Sequence, residues 1–120
     1  MFDTQENRYI TRGVNEQVPK EMQQRWFQLI DVKAKQAEIQ LDYLQIFEFN
    51  RDDQRGIITI VHRQEEPFFI DYSGIRITKD LVNFQIKKLW VIDDHTYQTM
   101  LLPEEYWSQI VSSWVRNFKN

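Results

Sequence analysis

The sequence predicts an α+β fold in which an antiparallel sheet of about five strands carries two amphipathic helices, in the order β-α-β-β-β-β-β-α. Three observations predict it. Between residues 20 and 36 the apolar positions recur with helical spacing, whereas from Leu41 to Leu102 they recur mainly at every second residue. Turn-forming residues cut that second stretch into strand-sized pieces. Near the C-terminus Pro103-Glu104-Glu105 opens another helical pattern.

Residues 8 to 14 (RYITRGV) read as a short strand stopped by Gly13 and the polar Asn15-Glu16-Gln17. Pro19 suits a first helical turn, where its missing N–H would have no partner, so a helix is expected over residues 19 to 36. At about 100° per residue, Met22, Trp26, Leu29, Ile30 and Ala37 share one arc, largely opposite Gln24, Gln28, Asp31 and Lys35. Lys33 falls inside the apolar arc, where its stem can follow the seam while the ammonium reaches water.

Residues 41 to 49 (LDYLQIFEF) are rich in the aromatic and branched side chains that strands favour. A polar turn over 50 to 56 leads into residues 57 to 63 (IITIVHR), a hairpin with a long loop, and Pro67 ends that ladder. Residues 68 to 72, 75 to 77 and 84 to 92 supply further strands. Asp93-Asp94-His95 then turns the chain into residues 96 to 102 (TYQTMLL) as a second hairpin. A second helix is expected over 103 to 117, with Trp107, Ile110, Val111 and Trp114 on its apolar stripe. Trp26, Trp107 and Trp114 are the expected aromatic core.

The strands carry large apolar groups in both phases. Leu44 and Ile46 alternate with Phe47 and Phe49, and Phe84, Ile86, Trp90 and Ile92 alternate with Leu89 and Val91. Each sheet face is therefore covered within the domain, or one face is presented to another chain.

A chain of 120 residues without repeats or low-complexity linkers reads as a single domain, residues 1–120. With no cysteine, disulfides, thiolate metal sites and thiol nucleophiles are excluded. The N-terminus MFDTQENR is polar and acidic where a signal peptide is basic and then apolar, and no apolar run approaches the roughly 20 residues that cross a bilayer. A cytoplasmic location without membrane contact is expected. Fifteen basic against eighteen acidic residues leave a net charge of −3, so no broad positive field invites nucleic acid.

Catalytic constellations are thin. His62 and His95 are too few for a zinc site, and although Asp93 and Asp94 could add oxygens, three successive residues rarely converge on one point. Turn hydrogen bonding accounts for them, and no metal is expected. The pairs Glu65-Glu66, Asp93-Asp94 and Glu104-Glu105 are neighbours that point apart on a strand or serve a helix dipole. Ser73, Ser108, Ser112 and Ser113 lack a glycine-flanked elbow, while Gly13, Gly56 and Gly74 are too scattered to cradle phosphate. No cofactor is expected. Lys87-Lys88, with Arg55 and Arg63 elsewhere, could form a stacking and phosphate surface, but strand aromatics are more often core. The polar run HRQEEP at 62 to 67 leaves the sheet at a rim, where binding residues accumulate.

The segments RYITRGV at 8 to 14, Val18-Pro19, LDYLQIFE at 41 to 48, HRQEEP at 62 to 67 and KLWVIDDHTYQTMLLPEEY at 88 to 106 form a recognisable series. On these residues the chain resembles the family described as staphylococcal protein of unknown function. The resemblance implies a small, single-domain, cytoplasmic protein of Gram-positive bacteria and brings no catalytic or binding residues with it.

The leading reading is a non-enzymatic protein-interaction module, with a candidate surface of Phe47, Phe49, His62, Arg63, Trp90, Asp93, Asp94 and His95. The expected partner is another protein or a second copy in a homodimer. Two alternatives stay open: a nucleic-acid-binding domain using Lys87 and Lys88, and a carboxylate-dependent enzyme using Asp93, Asp94 or Glu65.

Overall fold

Helical spacing and strand alternation sort the apolar residues into a helix layered on a sheet. The structure, a computed structural model, describes residues 1–3, 6–36, 38–106 and the backbone of 115–117. In chain order these hold β1 (Asn7–Thr11), α1 (Arg12–Gln17), α2 (Lys20–Ala34), β2 (Leu44–Asp52), β3 (Ile57–Gln64), β4 (Phe69–Arg76), β5 (Lys88–Asp93), β6 (Tyr97–Leu101) and β7 (Val115–Asn117). Short 3-10 turns lie at Lys79–Leu81 and Pro103–Glu105. Among the described residues no helix is long and apolar enough to cross a membrane.

The α+β class holds, but the sheet is mixed rather than antiparallel and has more than five strands. Its order is β4-β3-β2-β5-β6-β1-β7, and β1 runs parallel to β6 while the other pairings are antiparallel. Periodicity shows that a segment is a strand; it carries no information on which neighbour it pairs with across 90 residues of chain. The polar stretch after β1 is not a loop but α1, capped by the Thr11 hydroxyl, which accepts from the Val14 N–H.

The segment expected as a strand from residue 84 becomes one only at Lys88, whereas the two pieces around Gly74 are one continuous strand, β4. At the C-terminal end, the helix expected over 103 to 117 opens as the turn Pro103–Glu105, and Val115–Asn117 form a strand on β1 instead of a last helical turn. Residues 107–114, with Trp107 and Trp114, lie outside the described residues.

Helix α2 buries Trp26 and Ile30 of the predicted face together with Gln23 and Phe27, while Met22 and Leu29 are only partly buried. Trp26, Phe27 and Ile30 are buried against Phe47, Phe49, Ile58, Ile60, Leu89, Val91 and Met100. Trp26 sits over two strand rings, with centroids 6.0 Å from Phe47 and 5.2 Å from Phe49. Polar residues on the helix flanks hold it in place. The Arg8 guanidinium lies 4.7 Å above the Phe27 ring, donates twice to the Asp31 carboxylate and gives its Nε–H to Gln98 Oε1. Lys33 does not reach for water: it pairs with Asp71 of β4 above the Phe69 ring.

Candidate functional site

Strand register decides which candidate residues can act together. Phe47 pairs with His62 on one side and Leu89 on the other, all on the face beneath α2, whereas Ile46 pairs with Arg63 and Trp90 on the opposite face. Phe47 and Phe49 are therefore core residues, 0% and 8% exposed, and Trp90 is half-buried on the other side against Tyr106. The three rings do not form one surface.

His62 is also inside. Its ring stacks on Phe47 and meets Phe69 edge-on, and its Nε2 lies 2.7 Å from Gln45 Oε1. Because a side-chain amide oxygen only accepts, that geometry assigns the proton to Nε2 of a neutral imidazole. Burial, the dominant cause, lowers the imidazole to a pKa of about 4. Gln45 and Gln64 close the cluster: Gln45 Nε2 donates to Gln64 Oε1, and Gln64 Nε2 donates to the carbonyls of Gln40 and Pro67. These contacts hold the turn before β4 against the start of β2. Arg63 faces the other way and binds Glu48, holding that carboxyl below its usual range.

The Asp-Asp-His segment is a set of turn contacts. Asp93 accepts from the backbone N–H of Phe2 and of His95, Asp94 accepts from the N–H of Thr96 and of Tyr97, and His95 takes a left-handed φ of 77° on the exposed tip. Burial, followed by a hydrogen bond to Asp93, raises the Glu6 carboxyl. Glu105, which composition places at an exposed helix start, is instead buried and accepts from Thr11 Oγ1 and the N–H groups of Gly13 and Leu102. Among the described residues no group of three or more acidic or histidine side chains could hold a metal ion.

Lys87 and Lys88 lie beside two shallow clefts of about 320 and 400 Å³ that share Gln85, Ile86 and Lys87. Lys88 pairs with Glu48, next to Arg63 on the same carboxylate, which shortens the positive surface there.

The largest exposed apolar groups gather instead at β4. Phe68 is 67% and Tyr72 69% exposed. Among the described residues, strand β4 ends the sheet and pairs with β3 alone. Its hydrogen-bonding phase follows from the Ile77 N–H donating to the Gly56 carbonyl: in an antiparallel ladder, residues 69, 71, 73 and 75 then point their N–H and C=O groups at β3. Ile70, Tyr72, Gly74 and Arg76 direct theirs away from the sheet. The sequence shows the alternation of this segment but not that it ends the sheet, so Phe68 and Tyr72 escape a reading from periodicity alone.

The family model described as staphylococcal protein of unknown function matches residues 7–105, from the start of β1 to the turn at Glu105. The chain belongs to this family. Its segment takes in the His62 cluster, the Asp93 turn and all of β4. A solved structure, "Crystal structure of the protein of unknown function from Enterococcus faecalis", is 24% identical over 87% of this chain and 93% of that chain, with a TM-score of 0.72. At that identity the likeness shows a shared fold. No curated protein matches the chain.

Proposed function

We propose that this staphylococcal-type family member is a non-enzymatic protein-interaction module whose contact surface is the free edge of β4 with the aromatic groups of Phe68 and Tyr72. One observation carries the reading: among the described residues, the four successive outward residues Ile70, Tyr72, Gly74 and Arg76 offer backbone groups with no strand partner beside two large exposed rings. Sheet edges are normally guarded by lysine, proline or a bulge, and β4 (FIDYSGIR) has neither lysine nor proline. An extended segment of another chain can add to such an edge, with backbone bonds giving affinity and side-chain contacts giving choice.

The test is quantitative recovery of tagged protein from its native cell, with wild type compared to Tyr72→Pro. The Tyr72 N–H makes no bond to β3, so proline there should leave the fold intact while blocking strand addition. Proteins retained by wild type and lost with Tyr72→Pro are the expected result. The same proteins recovered with both would refute the reading.

A further inference from the structure

We infer that the strand added to β4 is β4 of a second copy, paired antiparallel about a twofold axis at Tyr72; this rests on the β4 edge being the contact surface. Two features of the edge point to a symmetric partner. The first is charge. The end of β4 that follows the turn carries Glu65 and Glu66, and the other end carries Arg76 and Lys79 against one acid, Asp80. Antiparallel self-pairing sets each acidic end beside the partner's basic end, whereas a parallel arrangement stacks like on like.

The second is register. A twofold axis normal to the sheet keeps each face on its own side, so residues of the same phase must oppose one another, and only outward-pointing residues can exchange backbone bonds. With the axis at Tyr72, Ile70 bonds the partner's Gly74, and Tyr72 bonds the partner's Tyr72. On the other face Asp71 meets the partner's Ser73, a hydroxyl donor for a carboxylate already paired with Lys33. Phe69 meets the partner's Ile75, and Phe68 meets the partner's Arg76. Moving the axis toward Asp71 sets Asp71 against its own copy. Moving it to Ser73 or Gly74 sets Asp71 against an isoleucine. Of these axes, only the one at Tyr72 gives Asp71 a hydrogen-bonding partner.

The absence of cysteine makes the register measurable. In a bonded antiparallel pair the Cα atoms are about 5.5 Å apart, within disulfide reach, so Tyr72→Cys should cross-link to its own copy under mild oxidation. Gly74→Cys and Ile70→Cys, each roughly 13 Å from its own copy, should not, but a mixture of those two should cross-link to each other. Light scattering of the full wild-type chain should show mass rising with concentration toward the dimer. Tyr72→Pro, which removes one donor from each copy, should weaken that association by about tenfold or more. A wild-type chain monomeric at every concentration, a dimer indifferent to Tyr72→Pro, or Gly74→Cys cross-linking ahead of Tyr72→Cys overturns the proposal. A monomer whose native-cell partners still depend on Tyr72 removes the self-pairing and keeps the contact edge, whereas partners indifferent to Tyr72→Pro remove the edge itself.

Discussion

The imidazole of His62 lies flat on the ring of Phe47, with centroids 4.5 Å apart and planes 7° from parallel. A cation there would lose its hydration in an apolar stack, which is why the imidazole pKa falls from 6.5 to about 4. The unfolded chain therefore binds this proton more readily than the fold does. The associated stability is whole above pH 6.5 and declines as pH falls through the window to about 4, where the accumulated loss is roughly 3 kcal/mol. Replacing the imidazole, as in His62→Phe, strands Gln45 Oε1 but abolishes this dependence, so the stability gap between wild type and variant should narrow from pH 7 to pH 4. Urea midpoints that fall in parallel for the two proteins would show that His62 is not the buried neutral group.

Trp26 is fully buried against Phe47 and Phe49, yet among the described residues its indole N–H has no hydrogen-bond partner. Its contribution is therefore packing. Trp26→Ala should cost about 3 to 5 kcal/mol, while Trp26→Phe, which deletes the unpaired donor and keeps a ring, should cost much less. Equal losses for the two variants in denaturant titrations would contradict this.

Gly13 lies within α1, where helix propensity alone favours alanine by about 1 kcal/mol. A Cβ there would stand 2.6 Å from Glu105 Oε2 and 2.8 Å from Leu102 Cδ1. Overpacking should prevail, and Gly13→Ala should lose about 1 to 3 kcal/mol. A melting temperature raised by the substitution would mean that Glu105 does not sit against this helix.

The legible parts of the sequence were those set by local periodicity. The face of α2 that carries Trp26 and Ile30 and the hairpin of β2 and β3 lie where the alternation places them, because neighbouring residues determine both. Pairing between β1 and β6 joins residues some 90 positions apart and leaves no local trace. The same gap affected the candidate surface. Phe47, Phe49 and Trp90 look alike as strand aromatics, but the phase of β2 against β5 puts the first two under α2 and the third on the other face. Tyr72 looked like an ordinary strand residue because nothing in FIDYSGIR records that the sheet stops there.

The most direct test of the β4 edge is amide hydrogen exchange along that strand in the full chain at increasing protein concentration. Asp71, Ser73 and Ile75, bonded to β3, should be protected throughout, while Ile70, Tyr72, Gly74 and Arg76 should exchange quickly when dilute and slowly when concentrated. Fast exchange of those four amides at every concentration, or new protection confined to the Gln85-Ile86-Lys87 segment, would contradict self-pairing at this edge.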